Sequence, residues 1–289
     1  MIQQHAASRV TARQRKEVLS RGLIYLSLLI LVLVFIAPLL WDGLMALKSQ
    51  PELTAFPVHV LPEHPEWQNF VLALTYINYG HYALNSFILA TLHSVLVTMT
   101  SALVGFGFAR LQARGKNVLF LVMLSTMMLP AILTVIPTYV IFARIGLINT
   151  YWPWVLWGLA STPYLSFLFR QFFSSIPTEL EEAAIMDGCS YWRIFWQIFL
   201  PLSKPVIATA AILSFTAVWG DFFTPLIFLS GDNTTLSVAL ANGYADVNGH
   251  LLTNVLAAGT IFYIIPVLVL FFFAQRSFVQ GIATAGLKG

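Results

Sequence analysis

The sequence contains little charge and a single cysteine. Only 9% of its 289 residues are charged, whereas a soluble protein carries roughly 25%. Cys189 is the one cysteine, which excludes an internal disulfide framework and any cysteine-based metal site. No glycine-rich phosphate loop followed by Lys and Ser or Thr occurs, so the sequence does not predict nucleotide hydrolysis by this chain. The sequence therefore does not indicate a soluble globular protein, a disulfide-bonded scaffold or a nucleotide hydrolase.

Apolar residues dominate the composition. They make up 58% of the chain, aromatic residues 14%, and the mean hydropathy is +0.79. Six apolar segments approach or exceed the roughly 20 residues that cross a bilayer core. They cover residues 23–40, 83–109, 118–142, 151–169, 206–229 and 251–274. Because backbone polar groups in lipid must be satisfied within the segment, we predict an all-α integral membrane protein with six transmembrane helices.

The basic residues predict the orientation of these segments. An N-terminus on the inside places 13 of the 15 basic residues on the cytoplasmic side. They are Arg9, Arg13, Arg15, Lys16, Arg21, Arg110, Arg114, Lys116, Arg170, Arg193, Lys204, Arg276 and Lys288. The positive-inside rule therefore predicts a multi-pass protein of the cell membrane with both termini in the cytoplasm. The net charge of +3 does not indicate a nucleic-acid partner, because the basic residues flank apolar runs.

This orientation divides the chain into three parts. A cytoplasmic N-terminal segment, 1–22, precedes a transmembrane domain, 23–274, and a cytoplasmic tail, 275–289, follows it. Two loops in the domain are longer than a connection requires: an outer loop at 41–82 and an inner loop at 171–205. The outer loop is rich in Pro, His and Trp, and we expect it to form a docking surface outside the membrane.

The inner loop has the pattern of two helices joined by a turn. Thr178 and Glu181 have the spacing of a capping box at the start of the first helix. Gly188 is suited to the positive φ that ends many helices. Ser190 is a good cap for a second helix, which we expect Pro201 and Pro205 to break.

The faces of the first helix leave two interpretations open. Helical spacing puts Leu180, Ala183, Ala184 and Asp187 on one face, where small alanines permit close approach. Three acids lie at the N-terminal end: Glu179, Glu181 and Glu182. Their negative charges interact favourably with the helix dipole and are available to a basic partner. The segment is either an ordinary helical hairpin at the membrane surface or a docking element.

A motif in this loop resembles one of a known family. The matching residues are Glu182, Ala183, Ala184, Gly188, Ile198, Leu200 and Pro201. At every spacing they are similar to the EAA motif of binding-protein-dependent ABC importer permeases. The resemblance implies that the loop is the coupling helix, which seats in a cleft of the ATP-binding subunit. It implies the following coupling residues: Glu181, Glu182, Ala183, Ala184, Asp187 and Gly188. Among them, the resemblance implies that Glu182 pairs with a basic residue of the ATPase and that Ala183 and Ala184 form the close-contact face. Gly188 forms the turn.

The wider chain resembles the carbohydrate-uptake branch of that family, in particular the six-span permease of the maltose-importer type. The residues that carry this likeness are Asn85, Ser86, Met128, Leu129, Pro130, Phe169, Arg170, Gln171, Phe172, Gly286, Leu287, Lys288 and Gly289. It implies a type I ABC importer permease fold and a sugar as cargo. It also implies a second homologous permease, two ATP-binding subunits that hold ATP and Mg, and an extracytoplasmic binding protein. The chain itself is expected to need no cofactor and to catalyse no reaction. It departs from the branch at Trp219, Gly220, Asp221 and Phe222, where an asparagine is more usual after the tryptophan.

A lone carboxylate in an apolar segment supplies the alternative function. Asp221 either lines a solute pathway together with Thr224 and Ser214, or it only hydrogen-bonds a neighbouring helix. His93 is either a proton relay or a bond between helices. An ion-coupled secondary transporter that uses Asp221 and His93 is therefore the second hypothesis. His59 is not expected to bind metal, because no third ligand accompanies it and His64.

Overall fold

The computed structural model describes residues 2–246 and 248–286. About 77% of the chain is helical, and no β-strand occurs in the described ranges. The α-helices are α1 Ile2–Ala46, α2 Gln50–Thr54, α3 Gln68–Thr75, α4 Tyr79–Arg110, α5 Lys116–Ser125, α6 Ala131–Arg144, α7 Trp152–Leu159, α8 Pro163–Ser174, α9 Thr178–Met186, α10 Tyr191–Ile194, α11 Leu200–Leu202, α12 Lys204–Trp219, α13 Phe223–Phe228, α14 Leu236–Gly243 and α15 Thr253–Gly286. Short 3₁₀ turns at Thr126–Met128 and Gly231–Asn233 and a π turn at Phe195–Phe199 complete the list.

The chain forms two compact units. The first contains residues 2–73 and 246–262. Within it, the Asn69 side-chain amide donates to the carbonyls of Ala46 and Lys48, both at 2.9 Å, and Asn254 donates to the Lys48 carbonyl at 3.2 Å. These buried amides satisfy carbonyls at and just beyond the C-terminal end of α1, which no helical amide reaches.

The second unit contains residues 74–245 and 263–286 and is organised around α4. Helices α7, α8 and α12 pack along α4. Close approach depends on glycine: a Cβ built on Gly105 lies 2.5 Å from the Cβ of Phe169 on α8. Hydroxyl groups join the same helices, since Ser94 donates to the Ala211 carbonyl at 2.6 Å and Thr100 to the Gly158 carbonyl at 2.7 Å. Small residues and interhelical hydrogen bonds of this kind hold helices together in a bilayer.

The larger apolar core of this unit lies where α4, α8, α9, α10, the π turn and α12 meet. Its buried members are Val97, Ala102, Phe106, Leu165, Phe169, Phe173, Ile176, Ala184, Ile194, Phe195, Phe199, Val206 and Ala210. Phe106 contacts the rings of Phe173 and Phe199 edge to face, with centroids 6.1 and 5.0 Å away. The inner loop is therefore built into the helical core by its aromatic residues.

Three helices in the described residues are long and apolar enough to cross a membrane: Ser20–Ala46, Tyr79–Arg110 and Thr253–Phe273. Two bent pairs raise the number to five if each pair is one span. The first pair, Lys116–Met128 and Ile132–Arg144, bends by 101°, and the second, Tyr191–Leu202 and Lys204–Trp219, bends by 82°. The all-α membrane fold is thus confirmed, and the number of six spans stays a prediction.

Three of the six apolar segments are broken rather than straight. In segment 118–142 the chain leaves the helix at Leu129 (ψ 118°) because Pro130 disfavours a helical residue before it. Segment 151–169 breaks at Ser161, whose φ is +63°. Segment 206–229 ends its helix at Trp219 and resumes at Phe223.

The last helix contains both the predicted span and most of the predicted tail. α15 runs from Thr253 to Gly286, and the apolar span within it ends at Phe273. No proline or glycine interrupts it between Pro266 and Gly281, so nothing in the sequence forces an earlier end. The predicted residues Leu287, Lys288 and Gly289 lie outside the described residues.

Candidate functional site

The turn of the inner loop has the geometry expected from the sequence. Gly188 has a φ of +80°. Its amide donates to the Ile185 carbonyl and the Cys189 amide to the Ala184 carbonyl, both at 2.9 Å. These two bonds form a Schellman motif, which satisfies carbonyls that the end of α9 would leave free. A Cβ on Gly188 would meet no atom within 4 Å, so glycine is needed for its backbone conformation and not for lack of space.

The start of the same helix differs from the expectation. The capping box of Thr178 and Glu181 is wrong: α9 begins at Thr178 itself, after Pro177, and no side chain caps it. Glu181 instead turns inward and its Oε2 lies 3.5 Å from Nη1 of Arg110. The carboxylate therefore pairs with a buried arginine. Leaving that buried charge unpaired would cost more free energy than leaving a backbone amide uncapped at the surface.

The six predicted coupling residues separate into an inner and an outer set. Glu181 and Ala184 are the two buried residues of α9. Glu182, Ala183, Asp187 and Gly188 are exposed. The structure thus corrects the face on which Ala183 and Ala184 were placed together, because Ala184 packs into the core of its own chain.

The second helix of the loop is capped as predicted but continues further. The Ser190 hydroxyl accepts from the Arg193 amide at 3.4 Å. The helix does not break at Pro201, because it passes through the π turn Phe195–Phe199 into α11. It bends by 82° at Ser203, two residues before Pro205, the second proline expected to break it. The π turn ends two residues before Pro201, whose missing amide proton removes a regular helical bond.

Arg110 is the residue near the loop whose role sequence reasoning missed. It ends α4, and the sequence predicts only its position on the cytoplasmic side. Its side chain is 6% exposed and contacts the carbonyls of Phe173 and Ile176 as well as Glu181. A lone arginine at the end of an apolar segment was the available signal, since a buried guanidinium requires acceptors.

The predicted pathway residues do not share one helix face, because the break at Gly220 separates Ser214 from Asp221 and Thr224. Asp221 Oδ1 accepts from the Thr224 amide at 3.1 Å and so caps the short helix α13. The Ser214 hydroxyl is buried and donates to the Ala210 carbonyl of its own helix at 2.5 Å. Asp221 is partly exposed and is the one carboxylate among the three.

The histidines have structural contacts. His93 Nδ1 lies 2.9 Å from the Trp154 carbonyl, so the interpretation as a bond between helices is confirmed. His59 lies 3.7 Å from Glu63. No cluster of three potential metal ligands occurs within residues 2–246 and 248–286.

Asn85 and Ser86, two of the residues that carry the family resemblance, fix the loop after α13. Asn85 donates to the carbonyls of Asp232 and Thr234 at 2.7 and 3.0 Å. The Ser86 hydroxyl accepts from the Leu236 amide at 2.8 Å. The first turns of α4 therefore hold the 232–236 segment in place.

A cavity of about 400 Å³ opens beside these turns. Neutral polar and aromatic side chains line much of it, among them Tyr76, Asn78, Tyr82, Thr234 and Asn242. The predicted pathway residues Ser214, Asp221 and Thr224 do not contribute to its wall.

The chain is similar to known membrane transport proteins. Residues 100–284 match the family model described as "Binding-protein-dependent transport system inner membrane component". The matched region contains the whole inner loop.

Two relatives and one solved structure are similar over most of the chain. A probable ABC transporter permease protein, YurM, of Bacillus subtilis is 33% identical, over 96% of this chain and 91% of that protein. The diacetylchitobiose uptake system permease protein NgcG of Streptomyces coelicolor is 31% identical, over 84% of this chain and 81% of its own length. A chain of a bacterial ABC transporter involved in the import of the acidic polysaccharide alginate superposes with a TM-score of 0.76 at 23% identity, over 88% of this chain and 95% of that chain. This last likeness shows the fold.

Proposed function

Because the chain belongs to the family of binding-protein-dependent transport system inner membrane components, we propose that it carries a sugar across the membrane as one permease of an ATP-driven importer. The chain is a multi-pass membrane permease subunit and not an enzyme. A sugar as cargo is supported by relatives of the chain, such as the NgcG permease of a diacetylchitobiose uptake system and the GanQ permease of a galactooligosaccharide transport system. Which sugar this chain carries depends on its partners.

The inner loop is the proposed contact with the ATP-binding subunits. The observation that carries this proposal is the exposed helix α9 with its Schellman turn, placed at the EAA spacing. Glu182 offers a charge to a basic partner, and Ala183 lets the partner approach. Asp187 and Gly188 present the exposed turn. ATP-driven closure of the partners would move this helix and switch the permease between its inward-open and outward-open states.

The partners follow from the same reasoning. One chain provides one coupling loop, so the complete importer requires a second homologous permease and two ATP-binding subunits that hold ATP and Mg. An extracytoplasmic binding protein delivers the cargo. The outer segment 41–82 supplies exposed apolar side chains for that contact, among them Phe56 (95% exposed) and Trp67 (67% exposed).

Asp221 and Thr224 are retained as the proposed pathway residues, and Ser214 with less support. Asp221 is partly exposed at a helix break, a place where side chains and unwound backbone line solute paths in transporters. Ser214 is buried and its hydroxyl is already bonded, so any cargo contact there requires this bond to be exchanged.

The ion-coupled alternative is disfavoured by the family assignment and by two contacts. His93 is hydrogen-bonded to the Trp154 carbonyl, and Asp221 caps α13. Each residue therefore has a structural contact that does not depend on proton transfer.

Uptake into proteoliposomes tests the function directly. The chain, reconstituted with its second permease, the ATP-binding subunits and the binding protein, should accumulate a labelled oligosaccharide only with ATP in the ATPase compartment. Ionophores that dissipate proton and sodium gradients should leave uptake unchanged. Uptake that persists without ATP and collapses with the gradient would establish the secondary transporter instead.

A further inference from the structure

A single arginine joins the loop to the helical core. Arg110 is the last residue of α4, and its Nη2 donates to the Phe173 carbonyl at 2.7 Å and to the Ile176 carbonyl. Phe173 belongs to the last turn of α8, and Ile176 lies just beyond it. The guanidinium thus satisfies carbonyls at a helix C-terminus, where a positive charge is also favoured by the helix dipole.

The same guanidinium reaches the loop on two further sides. Its Nη1 lies 3.5 Å from Glu181 on α9, and its Cζ lies 4.9 Å from the ring centre of Phe199 in the π turn. One planar group therefore contacts α8, α9 and the π turn at once. Lysine could not replace it, because an ammonium lacks the rigid fork that makes several directed bonds.

Helix α9 has little else to attach it. Of its nine residues, only Glu181 and Ala184 are buried, and an alanine methyl buries little apolar area. The side chains of Arg110 and Glu181 are 6% and 11% exposed, so their ion pair is shielded from water and salt. Within the described residues, this is the one ion pair that joins α9 to the end of α4.

We infer that Arg110 and Glu181 form a positioning pair that holds α9 rigidly to α4 and α8, so that a displacement of α9 is passed to these helices. The inference rests on the proposed function, in which partner subunits move α9. It assigns different roles to two adjacent acids. Glu182 faces the partner, whereas Glu181 faces Arg110 and transmits the motion inward.

The first test measures how firmly α9 is held and needs no cargo. A nitroxide spin label is attached at M186C, a position that is 86% exposed in the native chain, in a C189A background of the purified full-length permease. Glu181→Gln and Arg110→Lys should each raise label mobility by about a factor of two or more, because a local tether is lost. Glu179→Gln, which removes the same charge from the exposed first turn of α9, is the matched control and should leave mobility unchanged. Equal mobility in the wild type and both pair variants would overturn the inference.

The second test measures coupling in the assembled importer. The number of sugars transported per ATP hydrolysed should fall at least severalfold in Glu181→Gln and Arg110→Lys at equal assembly, while Arg114→Lys, an exposed control, should not change it. The double variant should lose no more than the worse single variant, because both act on one interaction. The inference would be contradicted by an unchanged number of sugars per ATP in the single variants. It would also be contradicted if the loss in the double variant were the product of the two single losses.

Two precautions keep the outcomes distinct. If Arg110→Lys does not assemble, Glu181→Asp replaces it: the shorter carboxylate should give a smaller loss than Glu181→Gln, and an equal or larger loss counts against the ion pair. If the wild-type importer shows no ATP-dependent uptake of any oligosaccharide, the proposed function fails, whereas the spin-label result still decides whether the pair holds α9.

Discussion

Gly105 on α4 lies so close to Phe169 on α8 that a Cβ on the glycine would be 2.5 Å from the phenylalanine Cβ. The same added atom would lie 2.9 Å from the Arg170 amide nitrogen. Real Cβ atoms do not approach this closely, so the two helices depend on the missing side chain for their separation. This contact places the end of α8 next to the end of α4, where Arg110 and the inner loop meet.

Replacement of Gly105 by alanine should therefore separate α4 from α8. We expect a loss of about 1–3 kcal/mol from overpacking. Gly107→Ala is the matched control, because a Cβ there meets nothing within 4 Å and should add about 0.5–1 kcal/mol of helix stability. Thermal unfolding of the detergent-purified chain, followed by tryptophan fluorescence, measures both. Equal transition temperatures for the two variants would show that the contact does not limit the packing.

Gly188 offers a test of the turn by conformation alone. Since space around it is open, Gly188→Val should cost roughly 1–2 kcal/mol through the positive φ, and more than Gly188→Asn, because Asn tolerates that conformation. The Val variant should weaken ATPase assembly or transport more than the Asn variant does at equal membrane abundance. If the two variants behave alike, the left-handed turn is not what the contact requires.

Asp221 separates a capping role from a role in the pathway. Asp221→Asn retains an acceptor for the Thr224 amide, whereas Asp221→Leu loses the cap, at a cost of about 1 kcal/mol. If Asp221 also lines the pathway of a neutral sugar, transport per assembled complex should fall modestly with Asn and strongly with Leu. Unchanged transport per complex with Leu at this position would remove Asp221 from the pathway.

Orientation is tested by labelling single cysteines in a C189A background. Asn117 and Asn233 are both exposed, as is Glu63. From the distribution of basic residues, we expect a membrane-impermeant thiol reagent to label N117C only from the cytoplasmic side and E63C and N233C only from outside. Labelling of E63C from the cytoplasmic side would reverse the topology.

Local rules predicted the turn of the inner loop, and distant partners explain where they failed. The positive φ of Gly188 and the cap by Ser190 depend on neighbouring residues, so the sequence pattern is sufficient. The inward direction of Glu181 depends on Arg110, which is remote in sequence. The local sequence around Glu181 fits both a capping box and a buried ion pair. Only the tertiary structure shows which of the two interactions the carboxylate makes.

The broken segments have a similar explanation. Hydropathy measures length and apolarity, and it therefore treats residues 206–229 as one segment. The break between Trp219 and Phe223 is stabilised by a capping bond from the Thr224 amide to Asp221. It is also accompanied by two bonds that join Trp219 and Tyr263: the indole donates to the Tyr263 carbonyl at 3.1 Å, and the phenol donates to the Trp219 carbonyl at 2.5 Å. These tertiary bonds are not visible in a hydropathy profile.

The central claim is that the exposed face of α9 docks the ATP-binding subunits, and charge reversal at Glu182 tests it most directly. The measurement is the amount of ATP-binding subunit that co-purifies with the permease from detergent-solubilised membranes, for the wild type, Glu182→Lys and the charge-matched control Glu63→Lys in the outer segment. Because the substitution places like charges together, the account predicts that Glu182→Lys loses at least about tenfold in bound subunit, equivalent to about 1.4 kcal/mol, while Glu63→Lys retains it. Full co-purification with Glu182→Lys would contradict the claim.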